Sequence, residues 1–333
     1  MRFLLFTLLC LLPALGPLRA EEPAGDDART ESGDPKRFLS ADEAKYPVRS
    51  EAEAKQFVAE RLAELKAKIP GDEWRLLESP HFYCFSNLRA DLHQRLIQEN
   101  EALYKKLSEI MGHHEDQPLW NNKCYIYYVN SRKGFIRFTD QVDNSGSGLS
   151  GGYFKPRGRD ATIGIPIEDS AKNEEERLRM ALNAVRHEGT HAFLQLTGKN
   201  VPLSQWLHEG MAQFIEFWFD DKKDSQISPR HNVIAALERA VARDEYLSWD
   251  EMKRRPLGGA DIKGYAFAWA FITFLYKYDP NDARKVPKMI HLIKNGMTDE
   301  EAIQTIYGPD MDKMQTQFRA WLKEAVRTKF KDL

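Results

Sequence analysis

Residues 173–198 read NEEERLRMALNAVRHEGTHAFLQLTG, and residues 204–221 read SQWLHEGMAQFIEFWFDD. The first stretch opens on Asn173, a good helix-capping residue, places acids in the first turn and ends at Gly198. Leu178, Leu182, Val185, Gly189, Ala192 and Leu196 recur at helical spacing, which predicts one long helix with a buried stripe. The second stretch opens on Ser204 and predicts another helix. The link between them holds Gly198 and Pro202, so the chain can turn back and lay the second helix beside the first.

His187 and His191 flank that stripe and are not needed to complete it. Residues four apart on a helix lie one above the other. Both imidazoles can therefore reach one tetrahedral cation at roughly 2.0–2.1 Å. Glu188 is turned by about 100° from His187, beside such an ion rather than on it. A carboxylate there can take a proton from an attacking water, the logic of the H-E-x-x-H motif. The plain alternative is a surface helix carrying two solvated histidines. A catalytic zinc needs three protein ligands; the third candidate is Glu209, eighteen residues after His191 in WLHEGMAQ. The neighbouring His208 starts no second motif; it either reaches the active-site rim or, the favoured reading, is polar surface.

Upstream, residues 50–69 carry apolar residues at helical spacing, followed by two aromatic-rich runs, WRLLES and HFYCFSN, that predict strands or a hairpin. A helix ending at Gly112 and the strand KCYIYYVN come next. Gly146, Gly148 and Gly151 match G-x-G-x-x-G, but Pro156 and Gly158 stand where a dinucleotide site needs a helix, so the segment reads as a loop or flap. ATIGIPIE predicts a strand, an edge strand able to pair with an extended peptide. PRHNVIAALERAVAR, DIKGYAFAWAFITFLYKY, DARKVPKMIHLIKN and DMDKMQTQFRAWLKEAVRT predict four more helices. A mixed half over 50–171 and a helical half over 172–333 give an α+β class.

The chain has 333 residues, 42% of them hydrophobic and 29% charged, a globular composition. A net charge of −2 offers no global attraction to nucleic acid or acidic lipid. Residues 1–20 combine Arg2, an apolar run too short to span a membrane, Pro13 and Pro17, and a small Ala20, the pattern of a signal peptide. Residues 21–49 then read as a disordered leader, and the mature chain is expected in the periplasm or outside the cell without stable membrane insertion. Its two cysteines, Cys84 and Cys124, can pair there or remain buried thiols.

HEGTH followed by WLHEGMAQ resembles the gluzincin metallopeptidases of the peptidase MA clan. In that group H-E-x-x-H lies on one helix and a glutamate ligand on the next. The WLxEGxA pattern is similar to exported bacterial domains of unknown function in that clan. The resemblance is specific over residues 180–220 and looser over 74–333. It implies a zincin-like fold, with a small sheet packed on the active-site helix and a helical lobe after it. It implies one Zn2+ per chain on His187, His191 and Glu209, with Glu188 as general base. It also implies an oxyanion donor from a later helix, for which Tyr265 is the candidate by order, unless it is a core aromatic. Such proteins often place an acid four residues after the glutamate ligand; here the position is Gln213, whose amide oxygen can accept an imidazole N–H or face solvent. The function so implied is hydrolysis of a peptide or protein substrate. The same residues would serve a non-peptide amide or ester, and the same fold could serve as an inactive or structural-zinc module gripping peptide or cell wall.

Overall fold

In the computed structural model, the described residues are 49–330 apart from 70–72, 114–118, 121, 158–159, 169–172, 198–200, 220–228, 258–260, 280–281 and 283. The expected signal peptide and almost all of the expected leader lie outside them. Among the described residues the class is α+β, with eleven helices and one five-stranded mixed sheet.

The sheet forms from β1 (Arg75–Glu78), β2 (Phe82–Ser86), β3 (Cys124–Asn130), β4 (Tyr153–Arg157) and β5 (Asp160–Ile167), in the order β1-β2-β3-β5-β4. The inner strands β2, β3 and β5 run parallel, and each edge strand is antiparallel to its neighbour. Parallel neighbours need crossovers; α2 (Ala90–Met111) and α3 (Arg132–Gln141) lie in the two connections. Side chains alternate across a strand. Phe82, Cys84, Cys124, Ile126 and Tyr128 therefore join the core under α2, while Tyr83, Phe85, Tyr125, Tyr127 and Val129 pack on the other face with α1 (Glu51–Lys68) and α3. With both faces covered, β2 and β5 are buried along their whole length.

ATIGIPIE is therefore an inner strand, contrary to expectation. The edge is β4, which comes from the segment that reads as a loop. Pro156 is tolerable there because an edge strand can spare a ladder hydrogen bond. Tyr153 pairs with Gly164 and covers it: a Cβ added to Gly164 would stand 2.3 Å from the Tyr153 ring. The preceding turn is held by Arg132, which donates to the carbonyls of Gly148 at 3.0 Å and Ser150 at 2.5 Å.

Cys84 and Cys124 are buried free thiols. The β2–β3 register sets Cys84 opposite Ile126 and Cys124 opposite Phe82, so the cysteines sit diagonally. Diagonal cross-strand neighbours lie roughly 7–8 Å apart, beyond the usual Cα separation of a disulfide.

The helical half comprises α4 (Glu174–Leu196), α5 (Gln205–Trp218), α6 (Pro229–Ala242), α7 (Trp249–Arg254), α8 (Ile262–Tyr278), α9 (Lys285–Lys294), α10 (Asp299–Tyr307) and α11 (Met311–Arg327). Asn173 caps α4 by accepting from the Glu176 N–H, and three acids fill its first turn. Ser204 occupies the N-cap of α5 without making a side-chain bond. One hydrophobic cluster runs from the α2 face of the sheet through α4 and α5 to α11. Helix α4 therefore separates the sheet from the helical lobe and is buried along most of its length. No helix among the described residues is long and apolar enough to cross a membrane.

Candidate metal centre

Helix α4 is wedged between the sheet and α5, so its two central histidines are buried, at 5% exposure for His187 and 7% for His191. Gly189, between them, lets the helix press on α2; a Cβ there would stand 2.9 Å from Leu103. Helix α5 brings Glu209 to the same place. The ligand-capable atoms of His187, His191 and Glu209 all lie within 4.8 Å of one another. Glu209 Oε2 is 3.3 Å from His187 Nε2 and 3.5 Å from His191 Nε2. The edge of a tetrahedron with ligands at roughly 2.0–2.1 Å is about 3.3–3.4 Å, so these spacings fit a cation placed between the three atoms. Glu209 Oε2 is buried and makes no well-formed hydrogen bond, which leaves its lone pairs free for such an ion.

The electrostatics are those of a site holding concentrated charge. Burial opposes ionisation of Glu209, but the His191 and His187 imidazoles outweigh it and hold the carboxyl well below its usual range. Burial would lower His187, but the carboxylates of Glu209 and Glu216 outweigh it and push the imidazole well above its usual value. A divalent cation would replace those protons, since ligation requires neutral imidazole.

Glu188 is buried beside this group and outside its set of ligand-capable atoms. Its carboxyl is raised, chiefly by burial and against the pull of His191 and His187. It points toward the start of the edge strand: a Cβ added to Gly152 would stand 3.2 Å from Glu188 Cγ and 3.4 Å from Oε1. The lack of a side chain at Gly152 is what lets β4 pass so close to this carboxylate.

Glu216 is the residue that sequence reasoning missed. Its Oε2 accepts from His187 Nδ1 at 3.3 Å. A carboxylate can only accept, so the Nδ1 proton is fixed and Nε2 faces Glu209 as the free ligand atom. Gln213 does not take this role: its Oε1 is buried without a hydrogen-bond partner. Glu216 lies seven residues after Glu209, two helical turns on and on the same face, and that spacing was the available signal. The surface reading of His208 is also corrected. Its ring stacks on that of His191, with centroids 4.2 Å apart and planes at 21°. Burial, with a smaller push from His191, takes its pKa down to about 3.

Tyr265 is in the first turn of α8, partly buried and packed against the core. It stands one turn before Ala268, whose carbonyl meets Gly210 of α5, but it is not a member of the metal-capable group. No family model matches the chain, and no curated protein matches it.

Proposed function

We propose that this chain is a zinc-dependent metallopeptidase; its secretion rests on the signal peptide expected over residues 1–20. The observation that carries the reading is the tetrahedral-edge distance from Glu209 to each of His187 and His191, all three ligand atoms lying within 4.8 Å, with the buried carboxylate of Glu188 alongside and outside the ligand set. A site that only held structure would not need that fourth, buried carboxylate.

In this reading His187 and His191 supply neutral imidazole nitrogens and Glu209 one carboxylate oxygen, leaving a fourth position open. A bound zinc ion would polarise the scissile carbonyl and acidify a water. Glu188 accepts the proton of that water as it attacks and delivers it to the departing amine. Burial raises its carboxyl, which makes it a better base than an exposed glutamate. Glu216 holds His187 in the ligating tautomer through Nδ1. The free edge of β4 is where an extended substrate adds as a further strand, its backbone carried past Glu188 at Gly152. Tyr265 is the candidate donor to the developing oxyanion.

The test begins with elemental analysis of the purified chain beside His191→Ala and Glu209→Ala. About one zinc per chain is expected, lost in both variants. Glu188→Gln should retain the zinc and lose peptide-library cleavage by at least about 10³-fold, since the amide can accept no proton. Wild-type rates in Glu188→Gln would remove Glu188 from the mechanism. Zinc binding without cleavage of any library member would favour the binding-module reading.

A further inference from the structure

We propose that His208 is a positioning residue for His191, holding that ligand by ring stacking where His187 is held by a carboxylate. The inference rests on the metal reading of His187, His191 and Glu209.

The two histidines are supported unequally. His187 Nδ1 donates to Glu216, which fixes both tautomer and ring plane. His191 Nδ1 is buried and has no hydrogen-bond partner. No polar partner holds the His191 ring from its Nδ1 side, and a small rotation would carry Nε2 away from Glu209, now 3.5 Å distant. Two rings limit that rotation. His187 meets His191 edge-on, with centroids 4.7 Å apart and planes at 89°. His208 lies nearly parallel to it at 4.2 Å. Offset stacking of this kind resists turning one ring against the other.

His208 acts through its face. Its Nε2 is buried and bonded to nothing, so it neither donates to the site nor accepts from it. It is not one of the three converging donors. Its position is still tied to them, because it directly precedes Glu209 on α5. The backbone segment that delivers the third ligand also delivers the plate against which the second ligand rests. If the face is what matters, phenylalanine should replace His208, filling the same space without an unbonded buried nitrogen.

The experiment measures zinc affinity by competition with a chromophoric chelator for wild type, His208→Ala, His208→Leu and His208→Phe, with the unfolding midpoint of each metal-free chain beside it. Ala and Leu should weaken zinc binding about 10-fold or more, the range seen when a ligand loses its support. Phe should stay within about 3-fold of wild type, the loss that remains when the stacked face is kept and only the nitrogens go. Cobalt loaded in place of zinc gives a second readout. Its visible spectrum should match wild type in Phe and change in Leu, which a role in folding alone would not produce. If Ala does not fold, the Leu–Phe contrast carries the test. Wild-type affinity in both Ala and Leu, or Phe as weak as Leu, overturns the stacking role and leaves the metal reading intact. A wild-type chain that takes up no zinc overturns the metal reading itself.

Discussion

At the scale of single residues, His187 is the best-supported ligand and Glu216 is the reason. The carboxylate sits 3.3 Å from Nδ1 and is 8% exposed, so solvent replaces it poorly when it is removed. Glu216→Ala should lower zinc affinity by about 10- to 100-fold, and Glu216→Gln by less, because the amide oxygen still accepts from Nδ1 but carries no charge. Chelator competition on both variants decides it, and equal affinities in wild type and Glu216→Ala would remove Glu216 from the support of the site. The sequence shows His187, Glu188 and His191 plainly because a four-residue spacing has one geometric meaning on a helix; Glu209 is offered only by the turn at Gly198 and Pro202 and by the resemblance carried by WLHEGMAQ. It does not show His208, because which side of α5 faces α4 depends on how the two helices are rotated. That rotation is set by Trp206, Phe214 and Phe217, which pack on rings from α7 and α8.

At the scale of elements, the position of Glu209 depends on how tightly α5 packs on α8. Gly210 makes the approach possible. A Cβ there would stand 2.8 Å from the Ala268 carbonyl oxygen, 3.0 Å from its carbon and 2.9 Å from Ile272. Two of those atoms are helix backbone and cannot move aside, so Gly210→Ala must displace α5. The gain in helix propensity, about 1 kcal/mol, falls short of the overpacking cost of typically 1–3 kcal/mol. A net loss of up to roughly 2 kcal/mol in urea unfolding is expected, with weaker zinc binding because Glu209 moves with the helix. A stability equal to wild type would mean that the contact relaxes without moving α5. The same elements show what a single sequence can reveal. Helices α4 and α5 announce themselves through period and flanking caps. Helices α7 and α10, not among the helices expected from the sequence, carry capping boxes at Ser248–Glu251 and Thr298–Glu301. Strand β4 is hidden because glycines and Pro156 are loop residues everywhere except on a sheet edge, and its partner Gly164 lies eleven residues away from Tyr153 in the chain.

At the scale of the whole molecule, the sheet and the helical lobe share one core, and a buried histidine couples that core to pH. His93 on α2 is fully buried. Its Nε2 lies 3.1 Å from the Cys84 carbonyl oxygen on β2, to which it donates, and its Nδ1 is buried without a partner. Burial, helped by Arg75 and opposed by the bond to Cys84, lowers its pKa to about 4. An unfolded histidine titrates near 6.5. Between these values the unfolded chain binds more protons than the folded one, so stability falls as pH drops from about 6.5 toward 4. Two and a half pH units correspond to about 3 kcal/mol at the acid end of that window. At the metal site of the metal-free chain, His208, lowered by burial to about 3, adds a loss of the same sign over this window. The raised His187 contributes stability that is complete below pH 6.5 and is lost only as pH rises through its folded pKa. The depressed Glu209 contributes stability above the ordinary carboxylate range, lost as pH falls through a pKa well below it. The raised Glu188 has the opposite slope to His93 near the acid end, so a single titration curve mixes the two. A difference curve separates them. His93→Gln keeps a donor for the Cys84 carbonyl and cannot titrate. Urea unfolding of the metal-free wild type and His93→Gln from pH 8 to pH 4 should give a gap that stays constant above about pH 7 and then shifts in favour of Gln by up to about 3 kcal/mol. A pH-independent gap would mean that His93 is not held neutral by the core, and that acid sensitivity between these values arises elsewhere.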